Sequence, residues 1–197
     1  MFYRLARVLC RLILLVLRRW TVCGAENLPR TGGVLVISNH QSYWDPVVVG
    51  CALDRQVHFM AKGQLFRIPV LGPVIRALGA FPVERGGGDR PAVRTSLQIL
   101  ARGLVLGIFP EGTRSRSGGL IEPHLGAAML ALRAKVPVLP VAVINTRGIW
   151  GKVTVHIGKP LEFPAFYGRR HTREDYRTVS RMLMGEIASL MDSAQER

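Results

Sequence analysis

Residues 34–46 read VLVISNHQSYWDP, which is a short apolar run followed by polar residues and an aspartate. The apolar part is typical of a buried β-strand, and we place the aspartate in a helix that opens after a loop. A strand, a loop and a helix in this order are one unit of an α/β domain. The stretch therefore predicts both the fold class and a polar loop at the carboxyl end of a strand.

The loop brings an imidazole and a carboxylate, His40 and Asp45, within five positions of each other. A straight helix would separate the two side chains by about 140°. They meet only if the chain turns between them, with His40 on the loop and Asp45 in the opening helix. The carboxylate then fixes the tautomer and leaves the other nitrogen free as a base. This predicts two members of a catalytic triad, the third being supplied by the substrate.

Beyond residue 30, strand and helix patterns alternate along the chain. The predicted strands cover residues 34–38, 56–61, 81–84, 104–109, 138–144 and 152–157, the last of them half-exposed. The predicted helices cover residues 45–53, 89–102, 126–135 and 172–193. This alternation indicates a single α/β domain with a mixed, largely parallel sheet flanked by helices.

Composition limits the classes of protein and partner. With 197 residues, of which 48% are hydrophobic, the chain is long enough for one domain with its own core. Its three cysteines favour a reducing compartment. The net charge of +14 indicates an anionic partner, either nucleic acid, anionic lipid or a phosphorylated substrate.

Residues 1–20 form a predicted amphipathic helix, separate from a domain of residues 21–197. The apolar run over residues 12–17 is too short to span a bilayer, and the arginines after it do not fit a signal peptide. We expect the helix to lie on the cytoplasmic face of the cell membrane in a peripheral or monotopic protein, with its apolar side in the headgroup boundary. Its arginines would then face anionic lipid: Arg4, Arg7, Arg11 and Arg18. The alternative is a surface helix that packs on its own domain.

Four blocks in a fixed order give the chain a family resemblance. They are the pair His40 and Asp45, a GAFPVER stretch at 79–85 preceded by the KGQLF segment at 62–66, FPEGTRS at 109–115 and VPVLPV at 136–141. In these blocks the chain resembles the glycerolipid acyltransferase family, in particular the 1-acylglycerol-3-phosphate O-acyltransferases. The resemblance covers about residues 20–160.

The resemblance implies a site for glycerol phosphate. Arg114 would bind the phosphate, with Arg85 and Lys62 as further anion contacts, since a guanidinium donates two parallel hydrogen bonds to a phosphate. The residues before it would position the substrate: Glu111, Gly112 and Thr113. Alternatively, Arg114 pairs only with Glu111 as a structural clamp.

Acyl transfer from a thioester to an alcohol requires a base for the hydroxyl and stabilisation of the oxyanion. His40 would act as the base and Asp45 would orient it. The sequence has no Gly-x-Ser-x-Gly nucleophile motif, which favours direct transfer without an acyl-enzyme. We expect no metal, because the other histidines lack metal-ligand spacing, and no cofactor beyond acyl-CoA or acyl carrier protein as co-substrate.

The leading hypothesis is transfer of an acyl group to 1-acylglycerol 3-phosphate, which gives phosphatidate in phospholipid biosynthesis. A second hypothesis keeps the mechanism but changes the acceptor to another lysophospholipid or an aminolipid. A third, from another class, is a non-catalytic basic protein that binds membranes or nucleic acid. It leaves the His40–Asp45 pair unexplained, so we expect lysophospholipid, acyl donor and anionic membrane as partners, and no nucleic acid.

Overall fold

The computed structural model describes residues 2–84 and 89–195. Its strands are β1 (Thr21–Cys23), β2 (Val34–Ser38), β3 (Val57–Lys62), β4 (Phe81–Val83), β5 (Val105–Ile108), β6 (Val138–Ile144) and β7 (Thr154–Ile157). Its α-helices are α1 (Phe2–Arg18), α2 (Asp45–Ala52), α3 (Leu71–Ala77), α4 (Arg90–Ala101), α5 (Gly126–Ala134) and α6 (Arg173–Gln195).

The strands form one sheet in the order β1-β7-β6-β2-β5-β3-β4. Neighbouring strands from β6 to β4 are parallel, whereas β7 is antiparallel to β6 and β1 runs parallel to β7. The predicted single α/β domain with a mixed, largely parallel sheet is therefore confirmed. Because β2 lies at the centre, the loop that carries His40 projects from the middle of the carboxyl edge.

Both faces of the sheet are covered, which explains the continuous apolar run of β2. Leu35 and Ile37 pack in a core with α4, α5 and α6. Val34 and Val36 pack on the opposite face, in a core with α1 and α2. A strand buried on both faces needs apolar residues at every position rather than at alternate ones.

The first and last strand positions differ from the sequence prediction. Strand β1 was missed because three residues are too few to show a period. Strand β7 was expected to be half-exposed, but His156 is only 7% exposed. The strand is buried because both of its faces are covered: Val155 and Ile157 pack in the core with α1 and α2, and α6 packs against the strand. The boundary between residues 20 and 21 stays a prediction.

Helix α1 forms as predicted and buries Leu14 in the core, but its arginines also contact the domain. Arg7 donates to the carbonyl oxygen of Leu53 at 2.9 Å, and Arg11 donates to that of Cys51 at 2.8 Å. These carbonyls end α2, where helix hydrogen bonding leaves acceptors without partners. The expectation that these arginines face lipid is therefore wrong. No helix among the described residues is long and apolar enough to cross a membrane.

Arg18 departs furthest from the expectation, because it is 2% exposed. Its guanidinium donates to the carbonyl oxygens of Asn145 at 2.5 Å and Gly148 at 2.6 Å. It also contacts those of Arg147 and Gly151. These acceptors belong to the β6–β7 loop, residues 145–153, so Arg18 fixes that loop to the end of α1.

Candidate active site

The His40–Asp45 pair forms by the turn that the sequence required. His40 lies on the loop after β2, Asp45 is the first residue of α2, and Nδ1 of the imidazole is 2.8 Å from Oδ2 of the carboxylate. The same oxygen accepts hydrogen bonds from the backbone N–H groups of Gln41 at 2.6 Å and Ser42 at 2.7 Å. Asp45 is fully buried, and through these hydrogen bonds it fixes both the conformation of the loop and the orientation of the imidazole.

The ring of His40 is held flat against an aromatic side chain. Phe109, the first residue of the FPEGTRS block, stacks on it with centroids 4.1 Å apart and an interplanar angle of 18°. Phe59 continues the stack beyond Phe109 at 5.7 Å. With Nδ1 directed to Asp45 and the side chain 18% exposed, Nε2 is the ring nitrogen left for a substrate.

The FPEGTRS block also holds the backbone of His40 on both sides. Glu111 accepts the N–H of His40 at 2.7 Å, and the N–H of Ser115 donates to the carbonyl oxygen of His40 at 2.7 Å. The other oxygen of Glu111 accepts the N–H of Ile121 at 3.0 Å. Burial raises the pKa of Glu111, and these backbone hydrogen bonds partly counter the rise. Glu111 thus positions the His40 loop, and the alternative in which it pairs with Arg114 as a clamp finds no ion pair among the described residues.

Arg114 packs on an exposed aromatic ring instead. Its guanidinium carbon lies 3.6 Å from the ring centroid of Tyr43, which is 75% exposed and precedes α2. Such a cation–π contact orients the guanidinium while leaving its N–H groups for an anion. Arg114 is therefore held beside the His40 loop, and Thr113 next to it is exposed.

Gly112 is required by its backbone and by a neighbour that the sequence did not reveal. Its φ of +63° lies in the left-handed region, and a Cβ there would lie 2.6 Å from the imidazole of His124. His124 also donates its backbone N–H to the carbonyl oxygen of Pro110 at 2.9 Å. The close contact at Gly112 is thus with this histidine, and the role of Gly112 in positioning the substrate stays a prediction.

Two further anion contacts were predicted, Lys62 and Arg85. Lys62 is the last residue of β3 and is exposed at the same sheet edge as His40. Arg85 lies outside the described residues. Among the described residues, no group of three His, Cys, Asp or Glu side chains is arranged to hold a metal ion.

Asn39 is a positioning residue that sequence patterns did not single out. It is 1% exposed, and its amide donates to the carbonyl oxygen of Val143 and accepts the Val143 N–H, both at 2.8 Å. The side chain thereby ties the start of the His40 loop to β6. Its only sequence signal is its place between a strand and the histidine.

Comparison with known proteins places these features in a family. The Acyltransferase family model matches residues 19–144. A 1-acyl-sn-glycerol-3-phosphate acyltransferase of Bacillus subtilis (strain 168) is 32% identical over 146 residues, which cover 71% of this chain and 72% of that protein. The enzyme of that name from Streptococcus pneumoniae is 27% identical over 212 residues, covering 100% of this chain and 75% of that protein.

The fold comparison agrees. The crystal structure of a 1-acyl-sn-glycerophosphate acyltransferase, PlsC, from Thermotoga maritima superposes with a TM-score of 0.82 at 25% identity, covering 99% of this chain and 80% of that chain. The family match spans more than half of the sequence and contains both His40 and the FPEGTRS block. The chain therefore belongs to the acyltransferase family and is an O-acyltransferase.

Proposed function

We propose that the protein transfers a fatty acyl group from a thioester donor to the free hydroxyl of 1-acylglycerol 3-phosphate, which gives phosphatidate. The observation that carries this proposal is the 2.8 Å contact between His40 Nδ1 and Asp45 Oδ2 beside an arginine held ready for an anion. The names of the relatives support the same acceptor.

In the proposed reaction, Nε2 of His40 takes the proton of the acceptor hydroxyl as its oxygen attacks the thioester carbonyl carbon. The tetrahedral intermediate then breaks its C–S bond, and the leaving thiolate receives the proton from the imidazolium. Asp45 stabilises the imidazolium and keeps Nδ1 as the donor toward its own oxygen. The acceptor hydroxyl takes the place of a serine nucleophile, so no acyl-enzyme forms.

The phosphate of the acceptor would lie on the β3 side of His40. Arg114 follows β5 and Lys62 ends β3, and both strands lie on the same side of β2. We assign Arg114, Lys62 and Arg85 to the phosphate, with the charge-assisted hydrogen bonds that a phosphomonoester accepts. This assignment predicts slower transfer to the same lipid without its phosphate.

Helix α1 would hold the enzyme on the membrane. Its outward side exposes seven large apolar side chains: Phe2, Leu5, Val8, Leu9, Leu12, Leu15 and Val16. A helix side of this kind enters the boundary between headgroups and acyl chains. We assign the cytoplasmic face of the membrane, because the free cysteines favour a reducing compartment.

The test is an acyltransferase assay on the purified full chain with 1-acylglycerol 3-phosphate and both types of donor, acyl-CoA and acyl carrier protein. Replacing His40 with Ala should lower kcat by a factor of about 10² to 10⁴, the usual contribution of a general base. His171→Ala is the matched control, since this imidazole contacts the carbonyl oxygen of Phe166 and has no contact with the His40 loop among those described. Near-normal turnover by the folded His40→Ala variant would contradict the mechanism.

A further inference from the structure

A cavity of about 560 Å³ opens beside the His40 loop, on the β6 side. One wall is formed by Gln41, whose side-chain amide donates to the carbonyl oxygen of Gly118 at 2.9 Å. The cavity is also lined by the β6–β7 loop, by Ser117 and Gly118 after the FPEGTRS block, and by Met191 of α6. Its volume is within the range of small-molecule sites.

The chemistry of the lining favours an anion with a flat ring. Arg147 and Lys152 line the cavity, and the lining residues that the structure describes include no carboxylate. Trp150 also lines it and is 73% exposed. Cations bind phosphate, and an exposed aromatic side chain offers a surface on which a nucleobase stacks. The combination is typical of a site for a phosphorylated nucleoside.

The cavity is shaped before any ligand arrives. Carbonyl oxygens of Asn145, Gly148 and Gly151 converge on the buried guanidinium of Arg18. Arg147 in turn donates to the carbonyl oxygen of Ser115 in the FPEGTRS block. The loop is thus fixed to α1 at three positions along its length and to the FPEGTRS block through Arg147, which lowers the entropic cost of binding.

The cavity and the predicted phosphate contacts lie toward different strands. Most of the cavity lining comes from the end of β6 and the β6–β7 loop, although Ser117 and Gly118 of the loop after β5 also reach it. In contrast, Arg114 packs on Tyr43 before α2, and Lys62 ends β3 on the other side of β2. Direct transfer requires donor and acceptor to reach His40 together. If the acceptor enters from the β3 side, the β6 side is left for the donor.

We propose that this cavity binds the nucleotide end of acyl-CoA, with its phosphates on Lys152 and Arg147 and its adenine on Trp150. The inference rests on the proposed function, because it needs a thioester donor. It selects CoA over acyl carrier protein, whose phosphopantetheine carries no adenine. A phosphate contact here could also come from the acceptor headgroup, so the experiment separates the two sources.

The first measurement is binding of adenosine 3′,5′-bisphosphate to the full chain by calorimetry, without any acyl transfer. Lys152→Gln and Trp150→Ala should each weaken binding about tenfold, the loss expected for one charged hydrogen bond or one stacked base. Lys159→Gln is the matched control, because Lys159 is exposed after β7 at the other end of that strand. Its affinity should equal that of the wild type.

The second measurement compares palmitoyl-CoA with S-palmitoyl-pantetheine, which lacks the nucleotide. Both variants should raise KM for palmitoyl-CoA about tenfold and leave KM for palmitoyl-pantetheine and for lysophosphatidate unchanged. An equal rise in KM for both donors would overturn the proposal. So would variants that change only the KM for lysophosphatidate or only the binding to anionic vesicles.

Failure of the two proposals can be told apart. If the wild type binds the bisphosphate through Lys152 and Trp150 but acylates no lysophosphatidate, the proposed function fails while the assignment of the cavity as a nucleotide site stands. If the wild type acylates lysophosphatidate but does not bind the bisphosphate, the cavity assignment fails alone.

Discussion

In α6, the apolar side faces the sheet, where Val179, Leu183 and Ile187 are each no more than 1% exposed. In α1, most large apolar side chains point away from the protein, and Leu12 and Val16 are 54% and 73% exposed. Both helices are amphipathic, yet they turn opposite sides toward the domain. The pattern of apolar and polar residues thus defines two sides of a helix, but it does not show which side packs against the domain.

The surfaces that receive the two helices explain the difference. Helix α6 lies on the apolar face of the sheet beside α5, so burial of aliphatic side chains stabilises it. Helix α1 instead meets the carboxyl end of α2, where carbonyl oxygens of Cys51 and Leu53 require donors. The arginines of α1 satisfy those acceptors and Leu14 packs in the core, so the exposed aliphatic side chains are the ones available for the proposed membrane contact.

The largest expected effect is on folding. Ile187→Ala in α6 should lower the free energy of unfolding by about 2–5 kcal/mol, because it leaves a cavity in the core. Leu12→Ala in α1 should change it by less than about 0.5 kcal/mol, since the side chain is exposed. Urea unfolding of both variants measures the contrast. Equal losses would mean that the outward side of α1 is covered in solution, which would break the comparison.

The next effect concerns membrane binding. Replacing Leu12 and Val16 together with Ser should weaken binding to anionic vesicles about tenfold or more, because each side chain loses about 1–2 kcal/mol of apolar transfer free energy. Unfolding free energy should stay near that of the wild type. Met182→Ser on α6 is the control, as Met182 is a comparably exposed apolar side chain at 50%. Vesicle sedimentation checks both, and equal loss by the control would contradict the special role of α1.

Much of the fold was predictable from local pattern. The strand over residues 138–144 and the turn between His40 and Asp45 follow from runs and spacings that the chain carries locally. Arg18 and Asn39 were not predictable, because their partners lie more than 100 positions away. Short elements such as β1 owe their form to a neighbouring strand rather than to their own residues.

The candidate site divides in the same way. The resemblance selected Glu111, but only the structure gave its task, which is to hold the backbone of His40 rather than Arg114. Phe109 was visible as the first letter of a block, yet its stacking on the imidazole depends on how two loops meet. Sequence identifies chemically useful side chains more readily than it identifies their partners.

The smallest expected effect concerns the first turns of α6 and α1, which differ in charge. The first turn of α6 contains a carboxylate, Asp175, that accepts hydrogen bonds from Arg169 and from the backbone N–H of Thr172. The first turn of α1 has no acidic residue. These hydrogen bonds hold the pKa of Asp175 well below its usual range, and the one from Arg169 has the larger effect. Its stabilisation is therefore complete above the unfolded pKa of about 3.9 and is lost as pH falls through the lower folded value.

Asp175→Asn should consequently lower Tm slightly at pH 7, and the gap to the wild type should narrow as the pH falls below about 4. The effect is small because the pair is at the surface, where solvent screens it. Asp192→Asn, an exposed carboxylate near the other end of α6, is the control and should give little change at either pH. Thermal unfolding at both pH values measures the gap. If the difference in Tm widened in acid instead, the folded pKa of Asp175 would be raised rather than lowered. The ionised carboxylate would then destabilise the protein at neutral pH.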